Sequence, residues 1–179
     1  WFQESGNRVI GKNELVALDT DVVGCYGYYA DFSRSFHSGP DDPNVDQRQL
    51  YAAAYEQIHH NMELLHHGLA FREYAQRAWQ IPEKYFVNRY YLSAHGVGMT
   101  GEYPYLYHGA EFHTAGYDGH IEGGMTPCVE SDIGAGPYTH LRAHETSLHL
   151  VCRHLLEKKK PMEPTTSLSI PAPAQLVRE

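Results

Sequence analysis

Three carboxylates in an otherwise apolar and aromatic stretch constrain this chain more than any other feature. The stretch covers residues 15–36, LVALDTDVVGCYGYYADFSRSF, and its acids are Asp19, Asp21 and Asp31. Residues 15–18 predict a buried strand and residues 26–32 a second strand after a glycine-containing turn, so the acids are expected to meet where the strands lie side by side. Buried carboxylates repel one another unless a cation neutralises them, whereas aspartates in the solvated turn of a hairpin need no cation. At this point both explanations stand.

Composition limits the class of protein. A chain of 179 residues with 42% hydrophobic content predicts one globular core. The formal net charge is -8, and no run of basic residues precedes Lys158, Lys159 and Lys160. Because nucleic-acid binding needs a basic surface, the charge favours a small-molecule partner and argues against nucleic acid.

The cysteines and the start of the chain indicate the cellular compartment and the extent of the protein. Cys25, Cys128 and Cys152 are widely spaced and form no CxxC motif, which is typical of a reducing compartment such as the cytoplasm and of a protein without a disulfide framework. No signal peptide or membrane-spanning segment is visible, which predicts no membrane partner. The chain opens on Trp1 and reaches its first predicted strand by Leu15, so we expect an upstream part to be missing.

One long helix is the clearest element, predicted over residues 46–69 after a cap at Asn44 or Asp46. Its apolar stripe recurs every three or four residues and includes Leu50, Ile58, Met62 and Leu65. The same helix carries four histidines without an i,i+4 pair, which predicts a solvated polar face rather than a metal site. These histidines are His59, His60, His66 and His67.

The remaining elements lead into further candidate side chains. A short helix is predicted over residues 71–79, followed by an aromatic-rich strand from Tyr85 that ends at His95 and the sequence HGVG. Residues 107–124 predict a long loop. A strand bearing Glu130 and a last strand bearing Glu145 follow, the latter with alternating Leu148, Leu150 and Cys152. We therefore expect a catalytic domain over residues 1–157 and a disordered, proline-rich tail over 158–179.

The collected candidates suit a metal centre. Six side chains are predicted on or at the ends of strands: Asp19, Asp21, Asp31, His95, Glu130 and Glu145. Five carboxylates and one imidazole offer more oxygen than one zinc ion needs, but they suit two divalent ions bridged by a shared carboxylate. This donor set favours Mn, Fe, Co or Zn over a sulfur-preferring metal, and we expect the cysteines to take no part.

Several motifs carry a resemblance to a known family: DTD, YADFSRS, AHGVG and GMTPCVES. The gaps of 10, 64, 35 and 15 residues from Asp21 through Asp31, His95 and Glu130 to Glu145 fit the same pattern. Over residues 1–152 the chain resembles the pita-bread metalloenzymes, the group of methionine aminopeptidase, aminopeptidase P, prolidase and creatinase. The resemblance implies an α+β fold with a curved, mainly antiparallel sheet and helices on its outer face, truncated at the N-terminus. It also implies a homodimer at full length and two divalent ions, iron being preferred, bridged by Asp31 or Glu145.

Within that group the chain most resembles the dimethylsulfoniopropionate lyases of the DddP type. Those lyases carry an extra aspartate two residues before the first shared one, as Asp19 precedes Asp21, and a CVES-x-IG stretch. Peptidases of the group place a second histidine seven residues after the metal histidine, and here that position is Glu102. In the lyases an acid one residue earlier is the base, but Gly101 stands there. The resemblance therefore implies either that Glu102 substitutes as the base, with Asp31 as the other catalytic carboxylate, or that the reaction is different.

The implied reaction removes a proton from the α carbon of a small zwitterion and releases dimethyl sulfide and acrylate. The cationic sulfonium head is attracted to aromatic ring faces, and the rings nearest His95 in the sequence include Tyr90 and Tyr103, our candidates for substrate binding. Two alternatives stay open. One is a metallopeptidase that hydrolyses Xaa-Pro peptides; the other is a non-catalytic remnant of the fold, which Gly101 and the short segment before Asp19 favour.

Overall fold

The computed structural model describes the backbone of residues 7–136 and 139–146 and the side chains of residues 7–135. The strands are β1 (Leu15–Val23), β2 (Tyr29–His37), β3 (Leu92–Gly96), β4 (Tyr105–Tyr107), β5 (Pro127–Gly136) and β6 (Thr139–Thr146). The helices are α1 (Val45–Leu64), α2 (Phe71–Arg77), α3 (Glu83–Phe86) and α4 (Gly109–Ala115), and a 3-10 turn (Cys25–Gly27) joins β1 to β2. The predicted hairpin and the two leading helices are confirmed.

All strand pairing in the described part of the chain is antiparallel, but it forms two sheets. Strands β1 and β2 pair only with each other, while the other four lie in the order β4-β3-β5-β6. We expected one continuous curved sheet, and hydrogen bonding over the described residues contradicts that. Strand β2 nevertheless packs beside β6, so the hairpin and the larger sheet remain neighbours.

Helix α1 packs on the larger sheet through the predicted stripe. Leu50, Ile58 and Leu65 are buried and Met62 is half-buried, whereas the four histidines of this segment are exposed. The helix begins in a capping box, because Asn44 accepts from the Gln47 backbone and the Gln47 side chain accepts from the Asn44 backbone. It ends at Leu64 rather than at residue 69, since Leu65 already has an extended conformation. The predicted C-terminal end of this helix was therefore too far along the chain.

Replacing Leu50 by alanine should lower the free energy of unfolding by about 2–5 kcal/mol, because it leaves a cavity between α1 and the sheet. Leu50 is 2% exposed and clusters with Ala54, Tyr85 and Ile133. Val45→Ala in the same helix is the control, since Val45 is 58% exposed and its change should stay within about 0.5 kcal/mol. Urea unfolding of the two variants measures the difference. Equal losses would contradict this packing.

Three other expectations needed correction. Residues 83–86 form α3 rather than strand, because this segment follows Pro82 and turns Tyr85 into the core. The predicted loop over 107–124 contains α4, which Phe112 anchors against the cluster formed with α2. Residues 15–18 form a strand but are half-buried to exposed, because β1 belongs to a two-stranded sheet rather than to the interior of a larger one. Leu148, Leu150, Cys152 and the tail lie outside the described residues.

His108, at the start of α4, links stability to pH. Burial and the nearby Arg89 charge lower its pKa to about 4, although a hydrogen bond to the Leu92 backbone opposes the shift. The unfolded chain takes up this proton near pH 6.5, so it binds more protons than the folded chain between pH 6.5 and about 4. The contribution of neutral His108 is therefore complete above pH 6.5 and is lost as the pH falls toward 4.

We expect wild type to lose roughly 3 kcal/mol more than a His108→Gln variant over that pH window, as a shift of this size implies. Urea titrations at several pH values give the two curves. His113→Gln in the same helix is the matched control, because His113 is exposed and its curve should follow wild type. Parallel curves for all three proteins would show that His108 is not held neutral.

In the described part of the chain, no helix combines the length and the apolar character needed to cross a membrane.

Candidate metal centre

The hairpin brings its three aspartates onto one face. Asp19 lies opposite Ser33 and Asp21 lies opposite Asp31 in the β1–β2 register, so all four residues project from the same side. Asp31 and Ser33 are buried, Asp19 is half-buried and Asp21 is exposed. The Ser33 hydroxyl donates a hydrogen bond to an Asp19 carboxylate oxygen. Strand alternation therefore produces an acidic face, as the sequence predicted.

The larger sheet supplies an imidazole, a thiol and a further carboxylate. His95 on β3 lies directly opposite Cys128 on β5, and Glu130 is two residues further along β5 on the same side. All three are at most 2% exposed. Their shared face follows from strand register alone and does not depend on loop conformation.

The hairpin and the larger sheet meet at His95. Its Nε2 atom lies 3.1 Å from Asp31 Oδ2 and 3.8 Å from Glu130 Oε1. Its Nδ1 atom lies 3.0 Å from the Gly96 carbonyl oxygen, which can only accept. The Nδ1 proton is thus held by the backbone, and Nε2 is the nitrogen directed at the carboxylates.

The surroundings of His95 favour positive charge. Burial opposes protonation, but hydrogen bonds with Asp31 and Cys128 and the charge of Glu130 outweigh it and raise the pKa of His95 to about 11. Negative groups that hold a proton this firmly also attract a metal cation in its place, because both bind the same lone pair and the same carboxylates. The chemistry of the donor set, two carboxylates and an imidazole on a buried face, fits a divalent metal ion.

The structure brings some predicted ligands together more closely than others. Among the described residues, Asp31, His95 and Cys128 each offer a ligand atom within 4.8 Å of the other two. Asp19 and Asp21 share the face of Asp31 but stand outside that tight group. The backbone of Glu145 pairs with Val129 in the β5–β6 register, and its side chain lies outside the described residues. Its role as a ligand stays a prediction.

Cys128 is the residue that the sequence argument missed. We expected the cysteines to stay away from the centre, yet Cys128 is fully buried within it. A signal was present, since Cys128 stands two residues before Glu130 and a strand turns both side chains to one face. Applying the two-residue period to GMTPCVES would have placed the thiol beside the carboxylate.

Tyr90 and Glu102 belong to the surroundings of the cluster. Tyr90 is 7% exposed and its hydroxyl donates to Tyr91 Oη at 3.3 Å. Burial, this hydrogen bond and the negative charges of Glu130 and Glu102 all raise the pKa of Tyr90. The hydroxyl is therefore neutral at physiological pH, and both carboxylates lie within electrostatic reach of it.

Tyr103 lies further from the cluster. It is 59% exposed, stacks on Tyr117 with ring centroids 6.2 Å apart, and lines a cavity of about 560 Å³ together with Tyr28 and Met125. Gly96 and Pro127 also line this cavity, and strand alternation points them away from the face of His95 and Cys128. Both predicted substrate-binding tyrosines stay predictions, and Tyr90 has the closer connection to the acidic cluster.

The loop after His95 is held close to the strand. The Gly96 amide donates to the Pro104 carbonyl at 2.8 Å, and the Tyr29 amide of β2 donates to the Gly98 carbonyl at 2.7 Å. A side chain at Gly96 would collide with the Tyr103 carbonyl, so only glycine permits this approach. The loop that carries Glu102 is thereby fastened to both the hairpin and the larger sheet.

Comparison with known proteins gives a family and two sets of relatives. The family whose sequence pattern matches is described as metallopeptidase family M24, and the match covers residues 1–149. A dimethylsulfoniopropionate lyase DddP of Roseovarius nubinhibens is 37% identical over 135 residues, which are 75% of this chain and 30% of that protein. The DddP lyase of Roseobacter denitrificans is 37% identical over 133 residues, 74% of this chain and 30% of its own length. The chain thus spans about a third of these relatives.

Solved structures agree on the fold. Prolidase from Pyrococcus furiosus superposes with a TM-score of 0.66 at 23% identity, over 79% of this chain and 40% of that one. A dipeptidase from Pyrococcus horikoshii gives 0.67 at 20% identity, over 80% of this chain and 38% of that one. Identities this low establish the pita-bread fold and nothing more specific.

Proposed function

Because this chain belongs to metallopeptidase family M24, we propose that its buried cluster binds divalent metal ions and that the protein is a lyase cleaving dimethylsulfoniopropionate. The observation that carries the choice of reaction is the 37% identity to two proteins named as lyases for that substrate. The two superposed peptidases share 23% and 20% identity with this chain, which shows the fold alone. The substrate is a small zwitterion, with a carboxylate at one end and a sulfonium at the other.

The residue after Gly101 supports the same choice. In peptidases that resemble this chain, a histidine seven residues after the metal histidine assists at the scissile amide, and this chain has Glu102 there. A carboxylate can remove a proton from carbon but offers no imidazolium to an amide. Glu102 also acts electrostatically on Tyr90, as does Glu130, so the three groups share one neighbourhood.

In this proposal the cluster residues bind the metal and Glu102 is the general base that removes the α proton. The residues that would hold the ions are Asp19, Asp21, Asp31, His95, Glu130 and Glu145. When bound, the ions supply positive charge that holds the substrate carboxylate and makes the α carbon more acidic. Glu102 takes the α proton, the C–H electron pair becomes the α–β double bond, and the β C–S bond breaks with its pair on sulfur. The products are acrylate and dimethyl sulfide.

Tyr90 fits the cationic end of the substrate. Its ring is buried, the charges of Glu130 and Glu102 act on it, and its hydroxyl stays neutral, so we propose the ring as a π face without a competing positive charge. Contact between a cation and an aromatic ring contributes about 0.5–2 kcal/mol. Tyr103, exposed at the neighbouring cavity, is proposed as a second ring that the substrate meets on entry.

Paired assays on the metal-loaded protein test this proposal. Headspace detection of dimethyl sulfide from dimethylsulfoniopropionate is run beside hydrolysis of an Xaa-Pro dipeptide at equal metal occupancy. Release of dimethyl sulfide that stops on chelation and returns with added metal is the expected result. Dipeptide hydrolysis alone would instead support the metallopeptidase alternative, and inactivity in both assays with metal bound would support a non-catalytic remnant.

The finer properties implied by the resemblance belong to the same proposal. We take iron as the resident metal, with Mn, Zn and Co as alternatives, and a homodimer in the cytoplasm for the full-length protein. Elemental analysis of protein purified without added metal tests the first. Light scattering of the full-length protein and fractionation of the source cell test the other two.

A further inference from the structure

Cys128 occupies a position that the proposed carboxylate and histidine ligands do not explain. It is fully buried, its backbone pairs with His95, and its side chain projects from the same face as Glu130. A buried thiol is usually surrounded by apolar groups, where it behaves as a small hydrophobe. Here it is instead enclosed with an imidazole and a carboxylate.

The separations fit a common ion. The ligand atoms of Asp31, His95 and Cys128 all lie within 4.8 Å of one another. At tetrahedral angles, metal–sulfur bonds of about 2.3 Å and metal–nitrogen or metal–oxygen bonds of about 2.0–2.2 Å place ligand atoms roughly 3.3–3.7 Å apart. A side-chain adjustment of about 1 Å in the most widely separated pair would bring all three atoms onto one ion. The Nδ1 contact with Gly96 already leaves His95 Nε2 directed at Asp31.

We propose that the Cys128 sulfur binds the metal held by Asp31 and His95, so that this centre is a mixed nitrogen, oxygen and sulfur site. The inference rests on the metal centre of the proposed function but not on the lyase reaction. On binding, the thiol gives its proton to solvent and the thiolate donates a pair to the ion. A thiolate favours Zn(II), Co(II) and Fe(II) over Mn(II) and Mg(II), which prefer oxygen. Cys128 would therefore select the metal.

Cobalt spectroscopy tests the inference directly. A cysteine thiolate bound to Co(II) gives an intense charge-transfer absorption in the near ultraviolet, whereas oxygen and nitrogen ligands give only weak visible bands. In the Cys25→Ser/Cys152→Ser variant Cys128 is the sole remaining thiol of the chain's three. We expect this variant to show the near-ultraviolet band at full cobalt loading. Absence of the band at full loading would overturn the inference, and this result does not require any substitution within the core.

A Cys128→Ser variant supplies the selectivity measurement. It should lose the band and bind Co(II) about tenfold or more weakly, while its Mn(II) affinity changes much less. Cys25→Ser is the matched control, because Cys25 is exposed and should alter neither value. Equal losses for cobalt and manganese would contradict a direct sulfur ligand and indicate a packing role. If neither wild type nor any of the variants binds cobalt, the metal centre is overturned as well. If they bind cobalt without showing the near-ultraviolet band, only the sulfur ligand is overturned and the lyase proposal stands.

Discussion

Asp31→Asn is expected to lower the affinity for divalent metal by at least about 100-fold. Changing a group that merely supports a ligand typically costs 10- to 100-fold, and we propose Asp31 as a ligand itself. Its carboxylate is 6% exposed and lies 3.1 Å from His95 Nε2, so no water can replace the lost anionic oxygen without rearrangement. The amide is neutral, and it can turn an N–H toward the position that a cation would take.

The measurement is a competition titration against a chromophoric chelator, with metal content after dialysis as a second readout. Asp118→Asn makes the same chemical change at a side chain that is 93% exposed and pairs with surface Arg72. Such surface pairs contribute little, so this control should bind metal as wild type does. Circular dichroism of both variants establishes that the fold is kept. Wild-type affinity in a folded Asp31→Asn variant would exclude Asp31 as a ligand.

The parts of the fold that sequence predicted correctly are those with a local cause. The start of α1 follows from the Asn44 and Gln47 capping box, and its buried side follows from the spacing of Leu50 and Ile58. The acidic face follows from the two-residue period of a hairpin, which needs only a turn near Gly24 to bring Asp21 opposite Asp31. Each of these patterns lies within a short segment.

The errors arose where distant segments decide the outcome. The two-residue period places Cys128 beside Glu130, but Cys128 meets His95 because β3 pairs with β5, and that pairing has no local signature. The division into two sheets likewise depends on how β2 settles beside β6. The outer side of the hairpin carries apolar side chains such as Leu18 and Phe32 that are nearly half exposed, which the buried-strand prediction did not anticipate. Burial is a property of what packs on a strand, and the contact recorded over Phe32 comes from Arg34 of the same strand, whose guanidinium lies 4.1 Å from the ring centroid.

Glu102→Gln is expected to reduce dimethyl sulfide release by about 10²- to 10⁴-fold at equal metal occupancy, the usual contribution of a general base. The amide keeps the size and polarity of the side chain but cannot accept the α proton. Glu56→Gln is the control, because Glu56 is an exposed glutamate of α1 that does not line the cavity of Tyr103. Metal affinity should be unchanged in both variants. A Glu102→Gln variant with full activity would show that another group takes the proton.

Gly101→Asp should raise the rate, because it restores an acid at the position where the lyases that this chain resembles carry their base. The structure has room for it: the nearest atoms to a Cβ at Gly101 are Tyr29 Cδ1 and Cε1, at 3.8 and 3.9 Å, which is ordinary contact. The backbone there does not require glycine, since Gly101 does not have a positive φ.

Met99→Asp tests whether any added acid in this loop suffices, because Met99 is 80% exposed two residues earlier. We expect activity to rise with Gly101→Asp and to stay at the wild-type level with Met99→Asp.

Adding Glu102→Gln to Gly101→Asp then separates the two acids. If Asp at 101 becomes the base, the double variant keeps the gain in activity. Loss of activity would show that Glu102 still takes the proton. If Gly101→Asp gives no gain while Glu102→Gln is inactive, the base has moved by one residue in this chain. If neither Gly101→Asp nor Glu102→Gln changes dimethyl sulfide release, the peptidase or remnant alternatives are favoured, because neither needs a carboxylate at 101 or 102.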